Sequence, residues 1–122
     1  MKKVIVIDDN AAIGLMVTRM LDGSAYRCTA LTSGVNLIDH LLAEPVDLLI
    51  TDILMPNVEG MEIIMSVRNT FPDLPIVAMS GGGHAVGKDV LLSAQHLGAR
   101  AVLAKPFTRA ELLAAIDQAF AG

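Results

Sequence analysis

The segment Leu48-Leu49-Ile50-Thr51-Asp52 restricts the fold more than any other part of the chain. Apolar residues follow one another without alternation and then stop at a carboxylate. Asp47 precedes the run, and Pro56 and Gly60 break the chain beyond it. A short, continuous apolar run between turn signals reads as a strand buried on both faces, as in a parallel sheet. In such sheets ligands bind just beyond the carboxyl ends of the strands. Asp52 falls at that place.

The rest of the chain supplies matching units. Lys3 to Ile7 predicts a first strand. Asn10 follows as a helix cap, and Ile13, Met16, Val17, Met20 and Leu21 form one apolar stripe at helical spacing. Gly23 ends that helix. Tyr26 to Leu31 is a second strand, polar enough for a sheet edge. Ser33 is positioned to cap a second helix with the stripe Leu37, Ile38, Leu41 and Leu42, which Pro45 stops. After the Leu48 to Thr51 strand comes a helix near Gly60 to Thr70, with Ile63, Ile64 and Val67 inward. Pro72 to Pro75 is a turn and Ile76 to Met79 a fourth strand. Ser80-Gly81-Gly82-Gly83 leads to a helix near Lys88 to Leu97, ended by Gly98. Ala101 to Ala104 is a fifth strand. Thr108 and Glu111 form a capping box for a last helix with the stripe Leu112, Leu113, Ile116 and Phe120. Five strands alternating with five helices predict an α/β fold, a doubly wound five-stranded parallel sheet covered on both faces.

A chain of 122 residues suits one domain spanning 1–122. It is 53% hydrophobic and 18% charged, yet no apolar run approaches the ~18 residues of a membrane span. Asp8 and Asp9 cut the apolar N-terminal stretch too short for a signal peptide, which predicts a cytoplasmic protein. The net charge is −4 and no basic stripe exists, which argues against direct nucleic-acid binding. The single cysteine, Cys28, reads as a buried, inert thiol on a strand. His40, His84 and His96 lack the spacing of a zinc site.

Polar groups follow four of the five strands: Asp8-Asp9, Asp52, Ser80 and Lys105-Pro106. With the strand order 2-1-3-4-5, the second strand is an edge and those four ends are neighbours. Singly, each residue has an ordinary explanation as a loop acid, cap, turn former or solvated charge. Together they form a cluster that needs compensation, because two like charges about 4 Å apart repel by roughly 4 kcal/mol at an effective dielectric near 20. Lys105 offsets part of this, and a hard divalent cation with oxygen ligands offsets more. Carboxylates, a metal and an ammonium together point to phosphoryl transfer onto a carboxylate.

In these residues the whole chain resembles the receiver domain of two-component response regulators. The motifs are Asp8-Asp9, Asp52 with Met55-Pro56 and Gly60, Ser80, and Lys105-Pro106-Phe107, all in the family's order. The resemblance carries the 2-1-3-4-5 order and a flavodoxin-like three-layer sandwich with it. It implies that Asp52 accepts a phosphoryl group from a phosphohistidine of a sensor histidine kinase or histidine phosphotransfer protein. It implies Mg²⁺ held by Asp9, Asp52 and the backbone carbonyl of Leu54, with Asp8 acting through a water. Lys105 then contacts the phosphoryl oxygens, Ser80 swings toward them, and Lys105-Pro106 is cis. The chemistry is confined to Mg²⁺-dependent self-phosphorylation and autodephosphorylation, so the chain is not expected to be an enzyme. The output is a downstream protein effector or a fused output domain, reached through the face built by the fourth helix, fifth strand and fifth helix, with phosphorylation-induced dimerisation as one route. The chain is either a stand-alone receiver or a fragment of a larger regulator.

One departure is Val102, where the family often has a switch aromatic. Another is the Gly81 to Gly87 segment, which reads as the moving part in its stead. Two other readings compete. Gly82 to Lys88 imitates a P-loop, but Asp89 stands where a metal-binding hydroxyl belongs. A receiver-shaped module that is never phosphorylated is the other, and the intact acid set argues against it.

Overall fold

Five short parallel strands form one sheet in the computed structural model, which describes residues 1–53, 60–81, 92 and 94–121. They are β1 (Lys2–Ile7), β2 (Tyr26–Leu31), β3 (Leu48–Asp52), β4 (Ile76–Ser80) and β5 (Ala101–Ala104). Their order is β2-β1-β3-β4-β5, as expected. Four helices accompany them among the described residues: α1 (Ala11–Met20), α2 (Leu37–Ala43), α3 (Gly60–Thr70) and α4 (Arg109–Ala121). Residues 94–97 are helical as well. The earlier part of that expected helix, 88–91 and 93, lies outside the described residues.

The strands read as apolar because both their faces are covered. Val4, Val6, Leu48, Ile50, Val77 and Met79 meet Val17 of α1, Leu21 just past its end, and Leu112 and Ile116 of α4. Ile5, Ile7, Leu49, Ile76 and Ala78 meet Leu37 and Leu41 of α2 and Ile63, Ile64 and Val67 of α3. Each fully buried aliphatic side chain contributes about 1.5–3 kcal/mol, so these two layers supply most of the driving force for folding. β3 and β4 are buried at every position, whereas no residue of β2 is more than half-buried, as an edge should be.

Several local signals act as expected. The Asn10 side chain accepts from the Ala12 N–H at 3.0 Å and caps α1. The Thr108 hydroxyl accepts from the Glu111 N–H at 3.1 Å, and Glu111 accepts from the Thr108 N–H at 2.9 Å, closing the capping box. Gly23 adopts φ +76° just past α1. Cys28, expected to be buried, is only half-buried because β2 is the sheet edge, and that burial pushes its thiol pKa up.

Two expectations are corrected. Ser33 does not cap α2; its hydroxyl accepts from the Val35 N–H in a turn, and the helix starts later, after Asn36 at φ +61°. Leu42 is 60% exposed, because a helix of seven residues presents only Leu37 and Leu41 squarely to the sheet.

Arginines close the turns between elements. Arg68 donates to the carbonyls of Pro72 and Gly98, Arg100 to those of Asp73 and Ala119, and Arg109 to that of Met20 at the end of α1. At the far end of the sheet the Tyr26 and Phe120 rings stack at 6.0 Å, and Lys2 Nζ lies 4.0 Å from the Phe120 ring centre. The Tyr26 hydroxyl donates to Asp117 Oδ1 at 3.3 Å.

Gly60 is the tightest point. A Cβ there would lie 2.1 Å from the Asp52 carbonyl oxygen and 2.2 Å from Ile53 Cα. The start of α3 therefore rests directly on the end of β3. Gly60→Ala is expected to destabilise the fold by about 3 kcal/mol or more, read from urea unfolding. Burial, then the Asp117 charge, raises the Tyr26 pKa above its ordinary 10.0. A raised folded-state pKa favours the protonated phenol, so this contribution to stability is present below pH 10.0 and is lost as pH rises through the folded value. Ultraviolet titration of this sole tyrosine should give a midpoint above 10.0, and Asp117→Asn should lower it.

Candidate functional site

The carboxyl ends of β1, β3, β4 and β5 meet at one rim of the sheet. β1 ends before Asp8 and Asp9. The Asp8 side chain turns inward and is buried, while Asp9 is exposed. Asp52 is the last residue of β3 and is buried. Ser80 is the last residue of β4 and is buried too. Lys105 follows β5, and its backbone N–H donates to the Ser80 carbonyl at 2.8 Å. The Lys105–Pro106 bond is cis, as the resemblance implied.

Of the five residues expected to act together, Asp8, Asp9, Asp52 and Lys105 bring their side chains to one place, and Ser80 lies buried at the adjacent strand end. Asp8, Asp9 and Asp52 each offer one carboxylate oxygen, and the three oxygens lie within 4.8 Å of one another. Lys105 Nζ sits 2.5 Å from Asp8 Oδ2 and 3.4 Å from Asp52 Oδ2. The ammonium thus bridges the two buried acids and leaves the exposed one facing solvent. The other oxygen of Asp8 accepts from the Asn10 N–H at 2.9 Å. Asp8 is therefore held on both oxygens, a rigid wall of the site more than a mobile arm. Leu54 and the residues of the glycine segment from Gly82 to Gly87 lie outside the described residues, as does the P-loop-like stretch ending at Lys88 and Asp89.

Could this set hold a metal? All its donors are oxygens, three are carboxylates, and one faces solvent. Such a set fits a hard divalent cation that takes carboxylates and keeps several waters, which is the habit of Mg²⁺.

Two contributors escape a reading of the sequence. Gly81 looks like a flexible link, yet a Cβ there would lie 3.2 Å from Lys105 Cδ. Its bareness gives the lysine stem a path to the acids. Arg109, four residues past Lys105, ties the start of α4 to the end of α1 and so brackets the segment that carries the lysine. Neither role has a local signature, since each depends on a partner distant in the chain.

An open parallel sheet with buried acids, a hydroxyl and a lysine at its carboxyl rim defines a signalling domain of the receiver type. The comparison with known proteins agrees: the response regulator receiver domain family matches residues 4–117, and the chain belongs to it. It is 32% identical over 114 residues to the DNA-binding transcriptional regulator NtrC of Klebsiella pneumoniae, covering 93% of this chain and 24% of that protein. The chain thus spans about a quarter of the length of this relative. Among solved structures, the Vibrio cholerae chemotaxis protein CheY4 superposes with a TM-score of 0.84 at 26% identity, covering 98% of both chains. The beryllofluoride-activated NtrC4 receiver domain dimer superposes with a TM-score of 0.88 at 25% identity, covering 99% of this chain and 98% of that one.

The lysine bridge has a measurable consequence. Replacing Lys105 by Met leaves two buried acids without their cation, and breaking a buried pair in this way costs about 3 kcal/mol. Thermal melting of Lys105→Met should show that loss without divalent ions. Added Mg²⁺ should raise its Tm by more than it raises that of the unsubstituted chain.

Proposed function

We propose that the chain is a phosphorylation-dependent switch in two-component signalling and that Asp52 is its phospho-acceptor. The observation that carries this reading is the Asp52 carboxylate at a rim shared with two further acids and the Lys105 ammonium. An Asp52 oxygen attacks phosphorus in a phosphohistidine, the phosphorus–nitrogen bond breaks, and the imidazole leaves as the acyl phosphate forms. The donor is a sensor histidine kinase or a histidine phosphotransfer protein.

Asp9 and Asp52 are the residues that would hold Mg²⁺ directly, with the Leu54 carbonyl, while Asp8 would hold it through a water. When bound there, the ion would supply positive charge against the transferring group. Lys105 exchanges its bond to Asp52 for one to a phosphoryl oxygen, which its 3.4 Å separation allows with little movement. Ser80, buried at the adjacent strand end, offers its hydroxyl to another oxygen. Because β4 leads straight from Ser80 into the next loop, that hydroxyl transmits the event along the chain. Water later hydrolyses the acyl phosphate, so the chemistry is self-phosphorylation and autodephosphorylation, with no turnover of a separate substrate.

The output is a protein effector or a fused output domain, reached through the residues before β5, β5 itself and α4. Val90 and Leu91 of that face lie outside the described residues, whereas Leu97 and Val102 pack partly against the core. The similarity to an activated receiver dimer supports phosphorylation-induced pairing as one form of output. Among the described residues no helix is long and apolar enough to cross a membrane. The reading sets the switch in the cytoplasm, where a phosphohistidine made from ATP is at hand.

The test is chemical. Incubation with acetyl phosphate and Mg²⁺ should place one hydroxylamine-labile phosphoryl group on Asp52, seen by intact mass and peptide mapping. Asp52→Asn should abolish it. Lys105→Ala should slow it by roughly two orders of magnitude, the usual cost of a lost charge-stabilising donor. Labelling that persists unchanged in Asp52→Asn would remove this assignment.

A further inference from the structure

Thr51 is fully buried, and its side chain lies on the face of β3 that carries Leu49 and Ile53. Its neighbours across the sheet are Ile7 on β1 and Ala78 on β4, both in the same aliphatic layer. Packing alone does not call for a hydroxyl here. Valine has the same shape, and a buried hydroxyl is costly unless it is bonded. The bond that Thr51 makes goes from Oγ1 to the main-chain oxygen of Asp52, at 3.0 Å.

That same oxygen is the atom closest to Gly60, where a Cβ would meet it at 2.1 Å. A hydroxyl and the start of a helix therefore press on one carbonyl, and the carbonyl belongs to the residue at the centre of the site. The N–H of the same peptide donates to the Met79 carbonyl at 3.0 Å, so the hydroxyl and the sheet together set the Asp52–Ile53 peptide plane, and a tilt of that plane shifts the base of the Asp52 side chain. Its carboxylate has to stay near Lys105 and within 4.8 Å of the oxygens of Asp8 and Asp9.

We infer that Thr51 is a positioning residue: its hydroxyl fixes the peptide plane after Asp52 and thereby aims the Asp52 carboxylate at the cation and at phosphorus. The phosphorylation part of this inference rests on the proposed function; the cation part does not. Thr51 touches neither ligand, so its effect passes wholly through Asp52.

Three variants of the full chain test it: Thr51→Val, Thr51→Ser and Thr51→Ala. For each, calorimetric titration gives the Mg²⁺ dissociation constant, acetyl phosphate labelling gives the phosphorylation rate, and melting gives stability. In Thr51→Val the Mg²⁺ affinity and the labelling rate should each fall roughly tenfold, as for other groups that orient a metal ligand. Thr51→Ser, which keeps the hydroxyl and loses the methyl, should melt lower yet bind Mg²⁺ and take phosphate like the unsubstituted chain. Thr51→Ala should share the binding defect of Thr51→Val, so the serine–alanine pair decides even if the valine variant does not fold. Unchanged Mg²⁺ affinity and rate in the valine or alanine variant would overturn the inference and leave Thr51 with a local structural role. So would a defect that serine does not repair. If the unsubstituted chain takes no phosphoryl group, the proposed function fails, and the Mg²⁺ affinities still decide the role of Thr51.

Discussion

Without the Lys105 ammonium, the rim where β1, β3, β4 and β5 end would hold two buried carboxylates and a third beside them, all of one sign. The domain tolerates this because a single cation lies against Asp8 and Asp52 at once. Its reach depends on features spread through the chain. The backbone bond from Lys105 to Ser80 sets where the lysine leaves the sheet, and the bareness of Gly81 gives its stem room. The Asn10 N–H holds the other oxygen of Asp8, so the ion pair closes onto a fixed partner. Asn10 also caps α1, and the same short turn thereby starts a helix and orients an acid.

The sheet makes this assembly inexpensive in conformational terms. Each functional group is the last residue of a strand or lies within a few residues of one, and the strands are held by apolar layers on both sides. None of the groups has to be ordered by the site itself. Asp52 shows the principle: β3 is buried along its whole length, Gly60 rests on its end, and Thr51 bonds the Asp52 carbonyl.

Much of this could be read from residue order. The apolar runs gave every strand to within a residue, and the capping box at Thr108 and Glu111 and the inward stripe of α3 appear as expected, because their causes are local or periodic. The convergence of Asp8, Asp9, Asp52, Ser80 and Lys105 followed from strand order, which the family resemblance carried. What stayed hidden depends on partners far along the chain. Ser33 had the right chemistry for a cap, but the chain needed it in a turn before Asn36. Leu42 fitted the stripe of a longer helix than the one that forms. Arg68, Arg100 and Arg109 carry no local signal for their roles, because each donates to a carbonyl far along the chain. Val102 marks a related limit: the position is visible, and the side chain is half-buried against the α2–α3 layer, with no ring to rotate. Of the four aromatic residues, Tyr26 and Phe120 stack at the opposite end of the sheet, Phe71 follows α3 there, and Phe107 is buried in the other layer. Whatever passes from the rim to a partner passes without an aromatic lever in β5.

The lysine bridge also has an electrostatic reach. Among the described residues, three carboxylates against one ammonium leave two negative charges in excess at the rim, half of the net −4 carried by the entire chain. One divalent ion arriving there cancels that half in a single step. The potential around the domain then changes out to about one screening length, roughly 8–10 Å at ordinary salt. A charged partner approaching another part of the surface nearby would meet a different field before any atom of the backbone had moved.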